Sequence, residues 1–446
     1  MQTATGKGRS TSIQAMRHFF RAVGADFTCR PEPSAVDDGM PSLSTEILFF
    51  GLGTLLLLTV VAGNFSSRFG LPALIGFLAL GMVAGSDGPG AIGFDNYPLA
   101  QMIGVACLVF ILFSGGLDTD WKLVRGSVRP AVVLATAGVG ISAAIVAGAA
   151  ILILDFSPLQ GFLLGAVIAS TDAAAVFAIL RSHGLPLDNR ACGLIELESG
   201  SNDPMAIFLV GAAILLISSP ASGVLPLVPS FFVQMGVGAA AGFVIGVGMP
   251  ALLRHIRLQV GGLALVVSVG AALLSYGLAG VLGGNGFLAA YISGIVAGNR
   301  DFPGKRSISL FQDGAAWLAQ VVMFLTLGLL VFPSQLPPVI GPGLAITAVL
   351  MLVARPLSVF LSLAAFPSFD WREKLFISWA GLRGAVPIVM ATFPIVAGID
   401  GAQTIFNIVF FVVVVSSVIQ GPTLGFAAKF LGISDQTTPS VTTDQT

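Results

Sequence analysis

Two carboxylates, an amide and two hydroxyls stand together in Glu198-Ser-Gly-Ser-Asn-Asp-Pro204, inside an otherwise apolar run from Ala191 to Ser219. A charged side chain near the centre of a bilayer costs roughly 2.5–3.5 kcal/mol on insertion scales, so such a group needs a partner or a task. On a helix Ser199 and Asp203 are four residues apart, as are Glu198 and Asn202, and each pair stacks on one side. Pro204 has no backbone donor, which leaves the carbonyl of Gly200 without its usual helical partner. The stretch offers acid, amide, hydroxyl and carbonyl oxygen to a small cation.

A second polar island, Ser170-Thr171-Asp172, lies one apolar run earlier and is followed by Ala173-Ala-Ala-Val176. Small residues directly after an acid admit another backbone, and Gly161 and Gly165 upstream predict an interrupted helix there. A third island is Trp379-Ala-Gly-Leu-Arg-Gly-Ala-Val-Pro387, where Gly381, Gly384 and Pro387 flank Arg383 and predict a second interruption. Arg383 is expected to serve the free carbonyls of that broken helix. Arg355, in Val353-Ala-Arg-Pro-Leu-Ser-Val359, is the other deep cation, and Glu198 is its natural partner in a structural ion pair. Glu196 and Asp313, near span ends, read as interfacial or hydrogen-bonded groups.

Asp172 and Asp203 are then left without a counter-charge. Keeping both ionised and empty in a low dielectric is costly, so the site holds either a cation or protons. Competition for the same oxygens couples the two flows. Asp203 and Asp172 are the expected ligands, helped by the Thr171 and Ser199 hydroxyls, with Asn202 orienting Thr171 or the unwound backbone.

The elements that hold these groups must be membrane helices. The chain has 446 residues, of which 55% are hydrophobic and 10% charged, with mean hydropathy +0.94. That composition predicts an all-α polytopic membrane protein. Apolar runs from Leu43 onward give about 13 transmembrane spans, centred near residues 56, 78, 109, 141, 173, 204, 239, 268, 292, 323, 350, 386 and 413. Fifty-five glycines suit close helix packing. Fourteen of the 21 Lys and Arg fall in loops after odd-numbered spans, while even-numbered loops such as Ser86–Tyr97 hold none. The positive-inside rule then puts the C-terminus in the cytoplasm.

Thr171–Val176 and Leu382–Pro387 occupy the middle span of two three-span groups, spans 4–6 and 11–13. This spacing predicts inverted repeats with broken helices crossing at the midplane. Residues 1–42 read as an extension that is either disordered or upstream of a true start at Met40. Residues 43–432 read as one membrane domain, in which spans 4–6 and 11–13 are the two repeats. Residues 433–446 read as a disordered cytoplasmic tail. A net charge of −1 argues against a nucleic-acid partner. Cys29, Cys107 and Cys192 have neither metal spacing nor a disulfide framework, and no cofactor is expected.

Ser170-Thr-Asp-Ala-Ala-Ala-Val-Phe177, Glu198-Ser-Gly-Ser-Asn-Asp-Pro-Met-Ala206 and Gly381-Leu-Arg-Gly-Ala-Val-Pro387 resemble the NhaP branch of the monovalent cation:proton antiporters. The likeness runs from about Leu43 to Gly432. It implies a thirteen-helix, NhaA/NhaP-like fold in which a six-helix core, spans 4–6 and 11–13, moves as an elevator against a dimerisation scaffold made mostly of the remaining spans. It also implies a homodimer in the bacterial inner membrane. By this likeness Asp203 is the ion- and proton-binding acid, Asp172, Thr171 and Ser199 line the site, and Glu198 pairs with Arg355. The pair Asn202-Asp203, having one acid, looks like the electroneutral type that exchanges one proton for one cation. Phe94-Asp-Asn-Tyr-Pro98, Ala315-Ala-Trp-Leu-Ala-Gln320 and Ala354-Arg-Pro-Leu-Ser358 are similar to the bacterial potassium:proton members, which favours K⁺ over Na⁺. Those members usually continue into a cytoplasmic regulatory domain, which is not expected from residues 433–446.

The alternative is a cation-coupled symporter of a small organic anion, since crossing broken helices also serve such folds. It has no need of acids on both crossing spans. An intramembrane protease is disfavoured because His18, His183 and His255 lie in the tail or loops. A channel is disfavoured by the lack of a repeated pore loop or charged ring, and no enzymatic activity is expected.

Overall fold

A computed structural model describes residues 45–68, 72–182, 184–185, 188–256 and 261–433. The sequence extensions 1–42 and 434–446 lie outside the described residues. The helices in chain order are α1 (Thr45–Arg68), α2 (Ala73–Ala84), α3 (Tyr97–Asp118), α4 (Trp121–Leu154), α5 (Pro158–Val167), α6 (Ala173–Ser182), α7 (Asn189–Ser218) and α8 (Leu227–His255). They continue as α9 (Gly261–Val281), α10 (Gly286–Gly298), α11 (Lys305–Leu329), α12 (Pro333–Ser362), α13 (Trp371–Trp379), α14 (Ala385–Val396) and α15 (Ala402–Leu431). Among the described residues, nine of these are long and apolar enough to cross a bilayer unaided. Four further passes are made by α2, by α5 with α6, by α10, and by α13 with α14, which completes the thirteen spans read from the sequence.

The two three-span groups repeat a pattern. Each opens on a long helix with one π turn, Leu134–Gly138 in α4 and Leu350–Ala354 in α12. Each continues in a broken span and closes on a 30-residue helix with an internal proline, Pro204 in α7 and Pro422 in α15. α4 is the fourth span and α12 the eleventh, so by span parity they enter from opposite faces and the repeat is inverted.

The first break runs over Ile168–Asp172, where Ser, Thr and Asp offer the backbone local partners in place of the helical ladder. The second runs over Ala380–Gly384. Gly161 and Gly165 do not make the first break, contrary to the sequence reading, because α5 is helical through both. Their missing side chains admit α4 instead: a Cβ on either would stand 2.9 Å from backbone atoms of Ala147 or Ala143. Pro387 sits in the first turn of α14, where its missing N–H has no helical acceptor to lose.

Helices α4–α7 and α12–α15 pack around the two breaks, while α1–α3 and α8–α11 pack on one another beside them. Small residues set the second group's spacing. Gly238, Gly242 and Gly246 form one stripe of α8 against α10. Cβ atoms there would stand 2.5 Å from the Asn285 carbonyl, 2.9 Å from the Ala289 Cα and 2.7 Å from the Ser293 carbonyl. This is the small-residue packing that replaces hydrophobic drive between helices in lipid. The outward surfaces of α1, α8 and α9 expose Phe49, Phe50, Phe232, Phe243 and Val266, which suits a lipid contact.

Candidate functional site

The two breaks touch through main chain. The N–H of Asp172 donates to the Leu382 carbonyl at 2.8 Å, so each interrupted span supplies a partner to the other. Arg383, 2% exposed, reaches across and donates to the carbonyls of Ala169 and Ser170, both at 2.6 Å. These are the carbonyls left free where α5 ends, and a cation there also opposes the negative end of the helix dipole. Asp172 supplies the converse at the start of α6, accepting from the N–H of Ala175 at 3.1 Å as a helix cap. Its other oxygen lies over Gly384, and a Cβ on Gly384 would be 2.8 Å from the Asp172 Cβ and Cγ.

Helix α7 runs beside the first break. The Ser199 hydroxyl donates to the Thr171 carbonyl at 2.9 Å and accepts from the N–H of Ala173 at 3.0 Å, which clamps both sides of the interruption. One turn on, Asn202 donates from Nδ2 to the Thr171 hydroxyl at 2.6 Å, leaving its buried Oδ1 without a protein partner. Asp203, 5% exposed, accepts from the Ser170 hydroxyl. Among the described residues no basic side chain forms an ion pair with Asp203 or Asp172.

Glu198 is different. Arg355 meets it with two parallel bonds, Nη1 to Oε1 at 2.5 Å and Nη2 to Oε2 at 2.8 Å, in a site where both residues are buried. Gly381 makes room for the guanidinium, since a Cβ there would be 2.6 Å from the Arg355 Nε. Thus Gly381 and Gly384 serve as clearances at the second break, each against a charged side chain.

A cavity of about 670 Å³ reaches this place from one face. Its inner wall holds Ser170, Thr171, Asp172, Ser199 and Asp203. Its mouth holds the exposed Asp118, Arg181 and Asp313, at the ends of α3 and α6 and in the early part of α11. Glu196 and Asp313 both line this path. The mouth lies on the face where the odd-numbered loops carry Lys and Arg. On the opposite side α3 packs on α14 and α15. The Tyr97 hydroxyl donates to Gln403 Oε1 at 3.0 Å, the Tyr97 ring meets Phe406 edge-on, and Gly104 abuts Val389.

Sequence reasoning did not single out Ser170 as the partner of Asp203, although it belongs to the same polar island. It also missed Tyr291, whose ring fills the space over Gly200, and Asn285, which donates to the Pro204 carbonyl at 3.0 Å. Nothing local in the sequence marks Tyr291. Asn285 stands in Gly283-Gly-Asn-Gly286, which reads as a turn.

The profile of the family described as "Sodium/hydrogen exchanger, transmembrane" matches residues 54–430. The chain is 44% identical over 384 residues to the K(+)/H(+) antiporter NhaP2 of Shewanella sp. (strain ANA-3), covering 85% of this chain and 66% of that protein. To the K(+)/H(+) antiporter NhaP of Alkalimonas amylolytica it is 42% identical over 407 residues, covering 90% of this chain and 70% of that one. The Na(+)/H(+) antiporter ApNhaP of Aphanothece halophytica is 29% identical over 344 residues, 72% of this chain and 63% of that one. The chain therefore spans about two thirds of the length of these relatives. In fold it matches the sodium proton antiporter MjNhaP1 of Methanocaldococcus jannaschii, with a TM-score of 0.75 and 24% identity over 86% of this chain and 99% of the other.

Proposed function

We infer the activity from one premise: the chain belongs to the transmembrane sodium/hydrogen exchanger family. It is a multi-pass membrane protein that exchanges a monovalent cation for protons, with Asp203 as the shared site. The observation that carries this reading is the contrast among three deep acids. Glu198 is neutralised by Arg355, whereas Asp203 and Asp172 face one open cavity with no bound counter-charge among the described residues. A carboxylate so placed holds a proton or a cation, and the two compete for it. Charge, not an anion-binding arrangement, lines the cavity floor, which weighs against symport of an organic anion.

Asp172 and the Ser199 and Thr171 oxygens complete the ligand set, and Asn202 holds the Thr171 hydroxyl. Potassium is the favoured cation, because the 42–44% identical relatives carry that name. One acid beside Asn202 favours electroneutral, one-for-one exchange. The protein works as a homodimer in the bacterial inner membrane. Its C-terminus is cytoplasmic, and the cavity opens to the cytoplasm. In transport, α4–α7 and α12–α15 move as a core against α1–α3 and α8–α11, closing the cavity and opening the opposite side.

The test is proton movement in everted vesicles, followed with a pH dye as K⁺ and Na⁺ are added separately, with and without a clamped membrane potential. A voltage-independent K⁺ response that Asp203→Asn abolishes supports the reading. A response to Na⁺ alone overturns the choice of cation, and full exchange by well-folded Asp203→Asn overturns the site.

A further inference from the structure

Asn285 is 5% exposed and uses nearly all of its hydrogen-bonding capacity at one junction. Its Oδ1 accepts from the N–H of Leu288 at 3.0 Å and caps α10, and its own N–H donates to the Gln234 carbonyl of α8 at 2.8 Å. The remaining donor, Nδ2, leaves the scaffold and reaches the Pro204 carbonyl of α7 at 3.0 Å. Pro204 follows Asp203 directly. A single side chain therefore ties the scaffold turn before α10 to the core helix at the depth of the ion site. Tyr291 of α10 also meets α7, its ring occupying the space over Gly200 one turn earlier.

We propose that Asn285 is a positioning residue that holds the Asp203 helix in register with the scaffold in the conformation whose cavity is open on the Asp118 face. The inference rests on the antiport reading above. The cavity lies between the two breaks, α6, α7 and the start of α14 on one side and α2, α3, α10 and α11 on the other, so closing it moves α7 against α10. A bond that crosses this boundary exists in one arrangement and is broken in the other, which biases the balance between them. The cap and the bond to α8 lie within the scaffold and survive the movement. Nδ2 to Pro204 is the part that distinguishes the two states.

Ser at position 285 retains a hydroxyl that caps α10 but is too short to reach Pro204, whereas Ala loses both functions. Exchange is measured in reconstituted vesicles of both orientations, giving the half-saturating K⁺ concentration from each face for wild type, Asn285→Ser and Asn285→Ala. Thermal unfolding is followed in parallel. One lost neutral hydrogen bond shifts a two-state balance by about twofold to tenfold. Asn285→Ser is therefore expected to change the ratio of the two half-saturation values by that factor, rising on the Asp118 face, while the maximal rate and unfolding temperature stay near wild type. Asn285→Ala should show the same change in ratio with lower stability. Wild-type exchange with an unchanged ratio in Asn285→Ser overturns the inference alone, because only the cap then matters. Absence of exchange in wild-type vesicles overturns the antiport reading and this inference with it.

Discussion

Arg355 meets Glu198 through two parallel bonds of 2.5 and 2.8 Å, joining the first helix of the second repeat to the last helix of the first. Both side chains are buried, and the nearest further acceptor for the guanidinium is the Ile377 carbonyl at 3.5 Å. Removing one member of such a pair leaves an uncompensated charge and costs about 3–5 kcal/mol, whereas replacing both with apolar groups costs far less. Glu198→Ala is expected to lower the unfolding temperature of the solubilised protein strongly. The double variant Glu198→Leu with Arg355→Met should recover most of that loss. A double variant as unstable as the single one would mean that Arg355 has another essential partner.

Gly384 is constrained from two directions. Its Cα lies over Asp172, and Asp172 is itself held by the 2.8 Å bond to the Leu382 carbonyl, so neither group can withdraw. Gly384→Ala should therefore force the crossing apart at a cost of about 1–3 kcal/mol, the usual range for overpacking. Exchange should fall by about tenfold or more while the protein still inserts in the membrane. Gly148, in α4, is the control, because a Cβ there meets no atom within 4 Å. Gly148→Ala should exchange normally and gain up to about 0.5–1 kcal/mol from the lower entropy of its unfolded chain.

Arg383 holds two carbonyls with one nitrogen. A buried carbonyl deprived of its donor costs about 1–3 kcal/mol. Arg383→Ala is expected to lose both bonds and to fall in thermal stability and exchange together. Arg383→Lys keeps a charge at the end of α5 and should lie between wild type and Arg383→Ala. Equal unfolding temperatures for the Ala and Lys variants would show that the charge does not matter to the crossing.

Much of this arrangement was legible because membranes make polar residues conspicuous. Asp172, Glu198, Asp203, Arg355 and Arg383 stand out against apolar runs, and Glu198 is the acid left for Arg355 once Asp172 and Asp203 are assigned to the ion. The count of thirteen spans followed from run lengths and from the side preference of Lys and Arg. What stayed hidden has a common cause. Ser170, Tyr291 and Asn285 are ordinary residues locally, and their roles arise only when α7 meets the first break and α10. The glycines misled for the same reason. Gly161 and Gly165 have the composition of a break but serve as a packing face for α4, and the interruption falls instead on Ser, Thr and Asp.

Asn202 and Thr171 are joined by a 2.6 Å bond from Nδ2 to the hydroxyl, while the Thr171 carbonyl is fixed separately by Ser199. If Asn202 acts by aiming that hydroxyl at the cation, its loss and the loss of the hydroxyl remove the same contribution. Thr171→Ala and Asn202→Ala should each raise the half-saturating K⁺ concentration, and the double variant should be little worse than the poorer single one. Coupled neighbours of this kind depart from additivity by about 0.5–3 kcal/mol. Strictly additive effects across the four proteins would assign Asn202 a separate task, and its unpartnered Oδ1 would then be the atom to pursue.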